Sequence, residues 1–188
     1  MSVLVKAAEL KRLCPTARAD VLDGLARAAG PILAKYEINT SLRLQHFMAQ
    51  IAHESAGFRY LREVWGPTPA QTRYEGRKDL GNTQPGDGFR FRGRGFLQVT
   101  GRANYRRIGA AMGLDLEAHP EKLEEPAVAL ESACIYWRDH RLNALADKDD
   151  LRAITLRVNG GLNGYDSRNG YLKDRSTFDC KSIDAVDA

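Results

Sequence analysis

A chain of 188 residues, 43% hydrophobic and 28% charged, has the size and balance of one globular domain, long enough to bury a core without disulfides or metals. No apolar run approaches the roughly 20 residues of a membrane-spanning helix, and no unbroken apolar segment follows Met1-Ser2-Val3-Leu4-Val5-Lys6, so neither stable membrane insertion nor a cleaved secretory signal is expected. Cys14, Cys134 and Cys180 are widely spaced and odd in number, which argues against a disulfide framework or zinc knuckle and for reduced thiols in a cytoplasm. The net charge of +4 points to an anionic partner without naming it.

The first third reads as helical. Residues 16–28 carry Val21, Leu22 and Leu25 at helical spacing, and Gly30-Pro31 is expected to break that helix before a short piece at residues 32–36. Asn39, Thr40 and Ser41 offer capping oxygens to the strongest helix, in which Leu44, Phe47, Met48 and Ile51 form one apolar stripe ending at Ser55-Ala56-Gly57. Residues 58–65 alternate as a short strand would. The glycine- and proline-rich stretch to Gly95 reads as a long functional loop, with strand-like alternation at residues 89–92 and 96–100. Helices return at residues 102–112, stopped by Gly113, then behind Pro126 with Ala129, Ala133, Tyr136 and Trp137 as its stripe. A further helix, capped by Asp149 or Asp150, ends at Asn159-Gly160-Gly161. Residues from about 176 show no pattern and read as a loose tail. The expected organisation is one catalytic domain over residues 1–188, with N-terminal helices to 57, a β/loop region at 58–100 and C-terminal helices at 101–175. The fold class is mainly α with a small β element.

Three constellations could carry chemistry. Glu54 lies about 70° from the centre of the apolar stripe at 100° per residue, in the last turn of its helix. Partial desolvation and the helix dipole there would both favour a protonated carboxyl, as a general acid needs. Glu63, nine residues on among arginines, would stay ionised, as a general base must. Two glutamates at that spacing are also common as plain surface charge. His53-Glu54 begins like a zinc-protease helix, but Gly57 stands where the second histidine is needed, and no metal is expected. His53 itself falls opposite the apolar stripe. Residues 58–108 hold eleven basic against four acidic side chains, an excess of seven that surpasses the charge of the whole chain. With Phe89, Phe91 and Phe96 interleaved, this segment suits a nucleic-acid strand or an anionic glycan. Acids among the arginines weigh against the nucleic acid. Gly93-Arg94-Gly95 lacks the remainder of a phosphate loop.

Taken together and in order, Phe47-Met48-Ala49-Gln50-Ile51-Ala52-His53-Glu54-Ser55, Arg62-Glu63, the run from Phe91 to Gly101 (FRGRGFLQVTG), Asn104-Tyr105 and Val158-Asn159-Gly160-Gly161-Leu162 resemble glycoside hydrolase family 19. That family includes plant chitinases and many bacteriophage and prophage endolysins. The short connection from Glu63 to Gly93 is similar to the endolysin branch. The resemblance spans residues 40–175. It implies a lysozyme-like, two-lobed helical fold and an inverting mechanism, with carboxyl groups roughly 6.5–9.5 Å apart. It further implies Glu54 as acid, Glu63 as base, and Gln98 and Thr100 as residues that hold water and sugar. Asn104, Tyr105 and Asn159 would line the cleft, and Arg168 is the best match to an arginine of the family site, at a shorter spacing than usual.

These implications give a peptidoglycan-cleaving endolysin, with a chitinase acting on β-1,4-N-acetylglucosamine polymers as the alternative. No cofactor is required. The expected partner is bacterial peptidoglycan, with no nucleic acid, and the protein is expected to be a monomer held in the host cytoplasm until release to the wall. Because chitin is neutral and peptidoglycan carries peptide carboxylates, the positive excess at residues 58–108 favours the wall polymer.

Overall fold

The computed structural model describes residues 3–173. The expected tail from residue 176 and Cys180 lie outside the described residues. The rest is mainly helical: α1 (Ala7–Leu13), α2 (Ala19–Lys35), α3 (Ser41–Glu54), α4 (Pro69–Thr72), α5 (Asp87–Arg90), α6 (Arg102–Met112), α7 (Pro126–Asp139), α8 (Asn143–Ala146), α9 (Leu151–Asn159) and α10 (Tyr165–Lys173). Tight 3-10 turns at Lys78–Leu80 and Pro120–Glu124 complete the list. No described helix is long and apolar enough to cross a membrane.

The central element is α3. Thr40 Oγ1 accepts the Arg43 amide at 3.3 Å, which satisfies one of the free donors of the first turn. The expected stripe of Leu44, Phe47, Met48 and Ile51 is buried, but so are Gln45, His46, Ala49, Gln50 and Ala52. The helix is therefore enclosed on nearly every side rather than amphipathic, and its buried polar groups need partners inside the protein. His46 Nε2 lies 2.8 Å from Asp149, and Gln50 receives Arg168. Phe47 meets the indole of Trp137 edge-on at 5.3 Å. Trp137, fully buried on α7, donates its N–H to Asn143 at 2.8 Å.

Two sequence expectations give way here. Gly30-Pro31 does not end the second helix, because α2 continues through Pro31 to Lys35. Pro31 is exposed, so water can serve the carbonyl that its missing N–H abandons. The expected strands also fail. Residues 58–65 and 96–100 contribute only isolated antiparallel bridges, Arg62 to Arg94 and Arg94 to Val99, and residues 89–92 close a helical turn. The alternation there reflects a buried Phe91 and arginines with partners of their own, not a sheet face. The remaining helix signals hold. Gly113 and Gly160 adopt left-handed caps at φ 68° and 72°, Pro126 opens α7, and the Asp150 side chain caps α9 through the Ala153 amide.

The loop between Glu63 and Gly101 is held by side-chain acceptors in place of a sheet. Glu75 takes the amides of Gly86 and Gly88 at 2.7 and 2.8 Å. Buried Asp87 takes those of Thr83 and Gln84, both at 3.0 Å, and grips Arg102, whose charge holds the Asp87 carboxyl below its usual range. Asn82 spans the Tyr74 carbonyl and the Arg102 amide.

Helix α2 packs along α7, and Gly24 is the point of closest approach: a Cβ there would stand 2.7 Å from the Pro126 ring. Gly24→Ala gains about 1 kcal/mol of helix propensity but forces a rigid ring aside at a cost of about 1–3 kcal/mol. A net loss in urea unfolding is expected, whereas an unchanged or raised midpoint would show that the interface yields freely.

Candidate active site

Helix α3 delivers Glu54 at its C-terminal end, and a sharp turn delivers Glu63. Ala56, Gly57 and Phe58 are all left-handed, at φ 53°, 72° and 60°. Only glycine adopts that region freely, so the turn is held by its surroundings. Ser55 Oγ donates to the Ile51 carbonyl at 2.6 Å and accepts the Phe58 amide at 3.0 Å, while the buried Phe58 ring stands edge-on to Phe96 at 5.8 Å. The chain thus folds back so that Glu63 donates its amide to the Gly93 carbonyl at 2.9 Å.

Glu54 and Glu63 line one small open pocket of about 200 Å³, with Gln98 also on its wall. Glu54 is not the lone carboxyl in apolar surroundings that its place on the wheel suggested. Arg168 Nη2 donates to its Oε1 at 2.5 Å, and the carboxylate side chain is 26% exposed. Glu63 likewise departs from expectation, since no arginine holds it. Its Oε1 accepts from Gln71 Nε2 at 3.0 Å and from the Tyr74 hydroxyl at 3.5 Å, and its Oε2 accepts the Gly93 amide at 3.2 Å. Neighbouring Arg62 turns instead to Glu124. Neutral donors on both oxygens fix the orientation of Glu63.

Gln98, itself left-handed at φ 50°, donates to the Gly95 carbonyl at 2.8 Å, and its amide oxygen occupies the space that any side chain at Gly93 would need. The Thr100 hydroxyl donates to the Gln98 carbonyl at 3.0 Å, and Asn104 donates to the Thr100 carbonyl at 2.8 Å. These three residues share a second pocket of about 360 Å³, floored by Leu97 and Val99 and bounded by Tyr136 and His140. On the other side, a third pocket of about 510 Å³ shares Glu63 and Arg62 with the two-carboxylate pocket and is walled by Arg59, Arg92, Trp65 and Phe89. Shared residues therefore join the three hollows, with the two glutamates in the middle.

Three expected cleft residues lie elsewhere. Tyr105 is fully buried and lines none of the three hollows; its hydroxyl donates to the Arg92 carbonyl at 2.6 Å and accepts from Arg94 at 2.9 Å, so it holds the chain behind the groove. Burial pushes its pKa to about 12. Arg168 is also fully buried, a positioning residue behind Glu54. Asn159 is exposed and lines none of the three hollows, and its side chain reaches the Gly161 carbonyl at 3.4 Å. The sequence reading assigned no role to Gln50, although it lies within the first motif, and missed Gln71, Tyr74 and Glu124, which carry no motif signal; all four act through other residues. His53 does lie on the polar side of α3. It bonds Ser167 at 2.9 Å, and its imidazole fills the space where Gly164 has no side chain.

The basic segment is far less cationic than its composition suggests. Arg62 and Arg94 share Glu124, Arg102 and Arg106 share Glu117, Arg107 pairs with Asp139, and Arg77 pairs with Asp79. Three of these acids lie outside residues 58–108, so counting within the segment misses them. Arg90 turns away to the Glu117 and Ala118 carbonyls.

A helical domain with two carboxylates on one open groove has the arrangement that glycoside hydrolysis uses. Comparison with known proteins gives the family. A glycosyl hydrolase family 19 domain-containing protein of Haemophilus influenzae is 27% identical over 196 residues, covering 89% of this chain and 94% of that one. An endochitinase of Arabidopsis thaliana is 32% identical over 136 residues, 71% of this chain and 45% of its own. The chain spans about half the length of the plant endochitinases it matches. Among solved structures, chitinase C of Streptomyces griseus superposes with a TM-score of 0.72 at 23% identity, covering 93% of this chain and 76% of that one. No family model matches the chain. Over most of its length the chain is similar to glycoside hydrolase family 19.

Arg168→Met removes both the Glu54 and the Gln50 bonds while keeping most of the apolar stem. The expected cost in urea unfolding is about 3 kcal/mol, the low end for breaking a buried pair because water reaches Glu54. A loss below about 1 kcal/mol would show that the pair does not hold α10 to α3.

Proposed function

We propose that this glycosidase is an endolysin that hydrolyses the β-1,4 bonds of bacterial peptidoglycan with inversion. The observation that carries the reading is the single groove in which Glu54 and Glu63 are flanked on the Glu63 side by an arginine-lined hollow. Arg168 occupies Oε1 of Glu54, which leaves Oε2 to carry the proton for the leaving oxygen. Glu63, fixed by Gln71, Tyr74 and Gly93, takes a proton from the water that attacks the anomeric carbon from the opposite face. The Thr100 hydroxyl spends its proton on the Gln98 carbonyl, so its lone pairs are left to accept from that water. Gln98 and Asn104 line the sugar path.

The described residues carry both carboxylates on one continuous groove, which supports one catalytic unit acting as a monomer. Two buried free thiols, Cys14 and Cys134, fit a protein kept in a reducing cytoplasm until lysis releases it to the wall. A second reading, chitin as substrate, draws on the names of the plant and Streptomyces relatives, and the two-carboxylate chemistry serves it equally.

Glu54→Gln keeps an acceptor for Arg168 and loses the acid, so the protein should remain folded while wall hydrolysis falls at least about 100-fold. Near-normal lysis by this variant would remove Glu54 from the mechanism. EDTA should leave the rate on purified walls unchanged. Wall hydrolysis should outpace cleavage of chitin oligomers and decline as ionic strength rises above about 0.15 M. Faster cleavage of chitin oligomers, with no salt dependence on walls, would establish the chitinase reading instead.

A further inference from the structure

Arg92 differs from the other arginines of the groove. Its side chain is only 8% exposed, yet it lines the hollow beside Glu63. Its guanidinium lies 4.0 Å from the centre of the Phe89 ring and donates to the Phe89 carbonyl at 2.7 Å, while its Nε has no acceptor. Among the described residues no ion pair forms with it. Glu124, which shares the hollow, is already engaged by Arg62 at 3.2 Å and Arg94 at 2.8 Å. Burial and the charges of Arg94 and Arg62 push the Arg92 pKa down, and the opposing pull of Glu124 only partly offsets them.

An uncompensated buried guanidinium is costly and persists where something outside the protein completes it. The surroundings suit an anion with an apolar stem. Arg59 reaches the same hollow without a carboxylate partner among the described residues, its Nε bonded to the Ala56 carbonyl at 2.9 Å. Trp65 and Phe89 meet edge-on at 5.4 Å, and Phe89 is 52% exposed. Glu63 borders both this hollow and the two-carboxylate pocket, so a group bound here hangs from a sugar next to the bond being cut.

We propose that this hollow is a carboxylate-binding site for the peptide attached through a lactyl group to the glycan strand, with Arg92 as its buried anchor and Arg59 at its rim. The proposal rests on the reading of peptidoglycan as substrate and adds that the enzyme recognises the peptide as well as the sugars. A fork of N–H donors meeting a carboxylate out of bulk water gives a strong, oriented contact. It would favour strands that carry peptides over bare ones.

The test measures new reducing ends from three polymers: wall glycan with its peptides, the same glycan with peptide carboxyls converted to amides, and glycan stripped by an amidase with the lactyl carboxyls thus freed also converted to amides. The native protein should cut the first about 10-fold faster, as kcat/KM, than the other two, the worth of a charge-assisted bond. Arg92→Gln and the surface variant Arg59→Gln should each shrink that ratio, Arg92→Gln to about two or less. Equal rates on all three polymers with the native protein would overturn the site, as would variants that slow all three alike. Cleavage of chitin oligomers with none of the three wall polymers touched would overturn the wall-hydrolase reading itself, and the site with it.

Discussion

The buried guanidinium of Arg168 ties the site to the fold. One of its nitrogens reaches Gln50 and another reaches Glu54, both at 2.5 Å, so a single side chain on α10 spans a full turn of α3. A cation enclosed this completely requires compensation. Gln50 and Glu54 supply the acceptors, and in return the Glu54 carboxyl is fixed at the end of the helix. The Gly164 turn is shaped to the same end, leaving room for the His53 ring so that α10 can begin beside α3.

On the opposite wall, a comparable economy replaces the expected sheet. Residues 58–101 have few backbone partners across strands, and their conformation depends on carboxylates and amides that collect main-chain N–H groups. Glu63 belongs to this set, since one of its oxygens accepts the Gly93 amide. The candidate base is therefore also a strut of the loop that positions it. Ala56, Phe58 and Gln98, non-glycine residues held in left-handed backbone, mark where the loop and the helix end are forced together.

Charge in this protein is spent mainly on structure. Arginines that look like a binding patch in a composition count are mostly buttoned to Glu117, Glu124, Asp87 and Asp139. Of the basic side chains in residues 58–108 that form no ion pair among the described residues, Arg92 and Arg59 are the two that line the hollow beside Glu63. A small unpaired residue of charge at the right place carries more information about a ligand than the large nominal excess does, because paired surface charges contribute little to an external field.

The sequence by itself determined the helices with strong local signals: the Thr40 cap, the Gly113 and Gly160 stops, Pro126 at the start of α7, and the stripe through Phe47 and Ile51. These are short-range physics, in which each residue and its neighbours within four positions suffice. It also marked Glu54 and Glu63 through motifs resembling one family. Only the tertiary structure decided that Pro31 lies within a helix, since solvent at that face can serve the orphaned carbonyl. It likewise decided that α3 is enclosed rather than amphipathic, because Gln50 Oε1 and His46 Nε2 each meet a partner more than a hundred residues away. The β pattern misled for the same reason: alternation reports which side chains are buried, and here burial arises from packing of Phe91 and Phe96 under a loop. Tyr105 and Arg168, read as ligand contacts, sit one layer behind the groove. Sequence order says which residues are near a site, but depth is set by the long-range packing that covers them.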